Sequence, residues 1–165
     1  MASVTLGGNP VNTVGELPSV GSQAPDFTVT NVEMANVSSD TFRGKRVVLN
    51  IFPSVNTGVC AASERKFNEL AAGLDNTTVV SVSKDLPFVL NSFCAAEGIE
   101  NVTPTSAFRT SFGEDYGVTL TDGKFEGLLA RSVVVLDENG VVLHTELVPE
   151  IGQEPDYDAA IAALS

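Results

Sequence analysis

Two side chains carry most of the nucleophilic and redox chemistry available to this chain, the cysteines Cys60 and Cys94. The surroundings of the first indicate how it could react. The run Pro53-Ser54-Val55-Asn56-Thr57-Gly58-Val59-Cys60 leaves an apolar, β-branched stretch, Arg46–Phe52, and enters a segment of helical periodicity, Val59–Leu74. In the first turn of a helix, free N–H groups and the positive end of the dipole favour an anion. A thiolate is therefore favoured at Cys60, and the thiolate is the nucleophilic form. The same amides can steady a negatively charged oxygen on a reacting group. Position alone leaves a second reading open, a small buried hydrophobe, which is the usual fate of a free cysteine. Thr57 shifts the balance toward chemistry, because its hydroxyl can meet a group lying over the sulfur; a threonine here also suits a helix N-cap. Pro53 either ends the strand or shields the sulfur from water.

Cys94 follows Cys60 by 34 residues, within a second helical segment, and taken alone it reads as a core residue. The spacing is not C-x-x-C, which excludes a thioredoxin-type dithiol. Two distant cysteines and the single histidine, His144, fall short of the four clustered ligands that zinc requires, so no metal is expected. Arg131 precedes an apolar strand, Ser132–Leu136. It is either an exposed residue at a strand end or a buried cation that must find a partner. No base or ligand set accompanies His144, which reads as a sheet-surface residue. Glu114, Asp115, Glu150, Glu154 and Asp156 read as solvated loop and helix-start charges, and Tyr116 and Tyr157 as packing residues.

The elements that must position these groups follow from periodicity. Ser3–Leu6 and Pro10–Thr13 flank Gly7-Gly8-Asn9, a turn sequence, and predict an N-terminal hairpin. A strand is expected at Phe27–Asn31, and Arg46–Phe52 reads as a buried central strand. In the helix that follows, Val59, Phe67, Leu70 and Leu74 share one angular sector. Thr77–Lys84 is a further strand. Asp85 as N-cap, Pro87 in the first turn and Gly98 at the far end predict a helix over Leu86–Glu97. Phe108–Phe112 suggests a short helical piece. Asp137-Glu138-Asn139-Gly140 joins strands Ser132–Leu136 and Val141–Glu146 through a tight turn, and Asp156–Leu164 closes the chain as a helix. Strand–helix alternation followed by a hairpin and a helix predicts a thioredoxin-like α/β fold, a mixed sheet covered by helices on both faces. With 165 residues and no repeat or linker, residues 1–165 are expected to form one domain. Twenty-one acidic against nine basic residues give a net charge of -12, which disfavours nucleic acid and anionic membrane surfaces. No apolar run approaches a membrane span, and the polar, Gly-rich start does not resemble a secretory signal, so a cytoplasmic location is expected.

Pro53, Thr57 and Cys60 form P-x-x-x-T-x-x-C after an apolar strand, which resembles the active-site motif of peroxiredoxins. The longer string NIFPSVNTGVC is similar to the thiol peroxidase subfamily. So are GNPVNTVGELPSVGSQAPDFTV, SKDLPF, FCAAEGIENV, SFGEDYGV, GLLARSVVVLDENG and ELVPEIGQEPDYDAA, in the family's order over essentially the whole chain. The resemblance implies a peroxidase acting on hydrogen peroxide and alkyl hydroperoxides without a cofactor. It makes Cys60 the peroxidatic residue, with Thr57, Arg131 and Pro53 around it, and Cys94 the resolving residue that closes a disulfide onto a Cys60 sulfenic acid. It further implies thioredoxin as reductant and a homodimer. A disulfide needs Cα atoms within about 7 Å, so two cysteines in separate helices imply that both segments loosen before the bond forms. Two positions depart from the pattern: Asn56 replaces the usual aspartate, and Gly58 the usual proline. Neither removes a reacting group.

Overall fold

The computed structural model describes residues 1–164. Seven strands form one sheet: β3 (Thr28–Asn31), β4 (Asn36–Ser38), β5 (Arg46–Ile51), β6 (Thr77–Ser83), β7 (Val102–Ser106), β8 (Ser132–Leu136) and β9 (Val142–Leu147), in the spatial order β4-β3-β7-β6-β5-β8-β9. The β5–β6 and β6–β7 pairs are parallel, each joined by a crossover helix: α1 (Gly58–Ala71) and α2 (Pro87–Glu97). The remaining pairs are antiparallel. A separate two-stranded hairpin, β1 (Ser3–Leu6) with β2 (Asn9–Asn12), precedes the sheet. Among the described residues, the short α3 (Phe112–Asp115), α4 (Tyr157–Ala162) and a 3-10 helix at Ser39–Phe42 complete the fold. This is the expected thioredoxin-like mixed sheet with an added hairpin. Among the described residues, no helix is long and apolar enough to cross a membrane.

Side-chain alternation along the strands builds two cores. Val47, Leu49 and Ile51 of β5 join Val80, Val82, Val134 and Leu136 on one face, packed with Phe27, Phe112 and Tyr116. The intervening Val48 joins Val79, Val133 and Val135 on the other face, beneath Phe67 of α1, Cys94 of α2 and Ala160 of α4.

Several elements differ from expectation. The helix near residue 110 lies at Phe112–Asp115 rather than Phe108–Phe112. Strands β4 and β7 had no clear signal: β4 is three residues long, and β7 contains Pro104. β3 pairs with only Thr105 and Ser106 of β7, so on that flank Pro104 lies beyond the ladder, where a missing N–H costs nothing. The buried face of α1 is Cys60, Ser63, Glu64 and Phe67, one step around the helix from the apolar sector read in the sequence. α2 begins at Pro87 with Leu86 in the N-cap position, so Asp85 is not the cap. Gly98, in the left-handed region at φ 66°, ends that helix as expected.

Candidate active site

The parallel strands β5 and β6 both end at the same edge of the sheet, where open α/β folds place their sites. From Ile51 the chain passes through the buried Phe52 and Pro53 to a tight turn. The Ser54 carbonyl accepts from Thr57 N at 3.2 Å and from Thr57 Oγ1 at 3.1 Å. Thr57 is extended, at φ -94° and ψ 144°, and Gly58 begins the helix. Cys60, third in the helix, has an amide with no carbonyl partner four residues back, and Thr57 Oγ1 accepts from it at 3.4 Å. Thr57 is thus the N-cap. Its hydroxyl proton is given to Ser54, not to the sulfur.

Sheet register brings Arg131 to this edge. β8 runs antiparallel to β5 with Ser132 opposite Ile51, so the residue before β8 lies beside the residue after β5. Arg131 is 2% exposed. Its Nε donates to the Ile151 carbonyl at 2.8 Å, and its Nη2 donates to Cys60 Sγ at 3.1 Å. Nη1 has no protein partner. The ion pairs among the described residues join Arg43 to Asp26 and Asp40, and Arg65 to Glu97; none reaches Arg131. A buried guanidinium without a carboxylate is expensive, and the Cys60 sulfur is the side-chain group that lies against it. Cys60 itself is fully buried among Phe52, Val55 and Leu90. Beside it lies a cavity of about 140 Å³ lined by Thr57, Val59, Arg131, Leu6, Phe125 and Ile151 among others. A donor-rich end at Arg131 therefore meets mostly apolar walls.

Cys94 sits on α2, 9% exposed, in the helix-side core. Burial, and behind it the charge of Glu64, push its thiol up from 9.0 to about 11. Both cysteines are free thiols. They occupy different helices and different core clusters, and Phe93 packs against both clusters. Cys60, Thr57, Pro53 and Arg131 thus gather at one edge, and Cys94 stands apart from them.

Two further residues lie at this edge, Glu64, to which the sequence assigns no role, and Asp85, which the sequence places as a helix cap. Glu64 is fully buried one turn beyond Cys60, its Oε1 accepting from Asn50 Nδ2 at 3.1 Å while Oε2 has no partner. Following the i, i+4 face of the helix from Cys60 would have reached it. Asp85 accepts from Ser54 Oγ at 2.6 Å, from Val55 N at 2.9 Å and from Ser83 Oγ at 2.7 Å. Only the last of these is a local Ser-x-Asp signal; the other donors lie some 30 residues upstream. Glu150, a solvated carboxylate as expected, also accepts from Thr5 Oγ1, Gly8 N and Gly152 N at 2.9, 2.9 and 2.7 Å and so anchors the β1–β2 hairpin. His144 is half-buried on β9, as befits the sheet.

Residues 19–161 match the family model described as Redoxin. The chain is 61% identical over 165 residues, the full length of both proteins, to a thiol peroxidase of Corynebacterium glutamicum. It is 63% identical over 164 residues, 99% of each chain, to a thiol peroxidase of Mycobacterium tuberculosis. Among solved structures, a peroxiredoxin-like protein from Aquifex aeolicus superposes with a TM-score of 0.94 at 38% identity, covering 99% of this chain and 96% of that one. A thiol peroxidase from Chromobacterium violaceum shares the fold, with a TM-score of 0.91 at 19% identity over 98% and 94% of the two chains. The chain belongs to the redoxin family, with the thioredoxin-like fold of the peroxiredoxins. Its activity is that of a thiol peroxidase.

Proposed function

We propose that Cys60 is the sulfur that meets the peroxide and that Cys94 completes the cycle. The supporting observation is the 3.1 Å contact between Arg131 Nη2 and the buried Cys60 Sγ, beside a cavity that Arg131 itself lines, with Nη1 of the same guanidinium unpartnered among the described residues. A hydroperoxide enters the cavity with its oxygens toward Arg131. Thr57 Oγ1 has given its proton to Ser54 and accepted one bond from Cys60 N, so one lone pair remains to accept the peroxide O–H. The Cys60 thiolate attacks the nearer oxygen. An S–O bond forms, the O–O bond breaks, and the departing oxygen takes a proton to leave as water or an alcohol. Arg131 and the amides at the helix start stabilise the charge that moves onto that oxygen. Pro53 keeps water from the sulfur.

The product, a Cys60 sulfenic acid, condenses with the Cys94 thiol: an S–S bond forms, and the sulfenic oxygen leaves as water with the thiol proton. α1 and α2 loosen locally for this step, since their cysteines lie in different clusters. A dithiol protein, thioredoxin on the family resemblance, then exchanges the disulfide back to two thiols. The apolar walls of the cavity, Leu6, Val59, Phe125 and Ile151, suit alkyl hydroperoxides as well as hydrogen peroxide. The cycle requires a reducing compartment, and we assign it to the cytoplasm, with the chain acting as a homodimer.

Stopped-flow peroxide consumption by Cys60→Ser and Cys94→Ser variants tests the assignment. The first should show no fast phase. The second should complete one fast turnover and accumulate sulfenic acid. After one equivalent of peroxide, the unaltered protein should lose two hydrogens, mapped to Cys60 and Cys94. Retained fast turnover in Cys60→Ser would overturn the reading.

A further inference from the structure

We propose that Asp85 is a positioning residue that clamps the Cys60 loop to the start of the Cys94 helix, and that this clamp must open between the peroxide step and the disulfide step. The inference rests on Cys60 being the reacting sulfur.

The carboxylate lies in the short connection between β6 and α2, two residues before Pro87. It does no work for its own helix, whose N-cap position is held by Leu86 without a side-chain bond. Instead it reaches across to the loop after β5. Oδ1 accepts from Ser54 Oγ at 2.6 Å, and Oδ2 from Val55 N at 2.9 Å and Ser83 Oγ at 2.7 Å. Charge-assisted bonds of this kind are stronger than neutral ones. The backbone of Asp85 is fixed as well: its N–H donates to Ser83 Oγ at 3.2 Å, and its carbonyl accepts from Ser106 Oγ.

From Ser54 the ordering passes to the site through an unbroken set of hydrogen bonds. Ser54 Oγ accepts from Asn56 N at 3.2 Å. The Ser54 carbonyl holds both polar groups of Thr57, and Thr57 caps the Cys60 amide. Val55, held by the carboxylate through its N–H, packs directly in the cluster around Cys60. Losing the carboxylate thus frees both the turn that sets Thr57 and one wall of the sulfur's pocket.

The same bonds restrain the second half of the cycle. The clamp joins the loop before α1, which carries Cys60, to the connection entering α2, which carries Cys94 in its second half, and both helices must rearrange for the sulfurs to meet. An intact clamp favours the peroxide-reducing arrangement and resists the disulfide-forming one. Its removal therefore slows the first step without slowing the second.

Rapid-quench mass measurement after mixing with one equivalent of hydrogen peroxide separates the steps, following oxygen addition to Cys60 and then loss of two hydrogens on disulfide formation. In Asp85→Ala, oxidation of Cys60 should slow at least tenfold while disulfide formation becomes no slower. Asp85→Asn, which keeps one acceptor, should fall between Asp85→Ala and the unaltered protein. Ser54→Ala should share most of its effect with Asp85→Ala, so that the double variant is barely slower than Asp85→Ala alone. Unchanged oxidation, both steps slowed alike, or additive effects of the two substitutions would each overturn the clamp. A Cys60→Ser control that still consumes peroxide would instead defeat the reading on which it rests.

Discussion

Glu64 carries a carboxyl into a place that repels its charge. Burial pushes it up from 4.5 to about 7, against the lowering effect of Asn50 and Ser81. The folded protein therefore binds this proton more tightly than the unfolded chain does. Its contribution is most favourable below pH 4.5 and is lost as pH rises to about 7, above which a constant penalty remains. Glutamine has the shape of the neutral acid and cannot ionise. Glu64→Gln should be indistinguishable from the unaltered protein in urea unfolding at pH 4.5 and more stable at pH 8, by up to about 3 kcal/mol, the equivalent of moving a carboxyl from 4.5 to about 7. A flat difference across that range would show that Glu64 is not the titrating group. The same charge raises Cys94, so the variant should also lower the pH at which the Cys94 thiol reacts with an alkylating reagent.

Among the elements, the first turn of α1 has the clearest untapped stability. Gly58 is the first residue of the helix, and a Cβ built there meets nothing within 4 Å. The preceding Thr57, at ψ 144°, already has the extended backbone that a following proline demands. Proline at this position loses no helical hydrogen bond and restricts the unfolded chain. Gly58→Pro should raise stability by about 0.5–1 kcal/mol in urea unfolding. If the turn must loosen for resolution, it should also slow disulfide formation after one equivalent of peroxide. The positions of Thr57, Cys60 and the α1 turn were legible in the sequence because they depend on neighbours three or four residues away. The function of Asp85 was not, because an aspartate before Leu-Pro reads as a cap and its two decisive donors lie on another loop. Strands β4 and β7 escaped for a related reason: one is too short for alternation to register, and the other holds a proline that only the pairing pattern excuses. Glu64 escaped because an apolar sector centred on Phe67 hides a polar pair on the neighbouring stripe of the helix.

At the scale of the whole molecule, the cavity is built by parts distant in sequence. Leu6 comes from the hairpin, Phe125 from the connection before β8, and Ile151 from the segment after β9. Glu150 ties the first to the last. The backbone amides of Gly152 and Gly8 are the chief causes holding its carboxyl down at about 2, so the bonds are present above pH 4.5 and lost only as pH falls toward 2. Glu150→Gln should loosen the apolar wall. Steady-state assays should then show KM rising several-fold for a bulky organic hydroperoxide and much less for hydrogen peroxide; an equal rise for both would mean the hairpin does not form the wall that alkyl groups meet.

The pairing of β5 with β8 joins segments some eighty residues apart, and it is this pairing that sets a cation beside the sulfur. During synthesis the cysteine is made long before the strand that delivers its guanidinium. A nascent chain therefore emerges with its cysteine far from that cation, and the two meet only when the last large piece of the sheet docks.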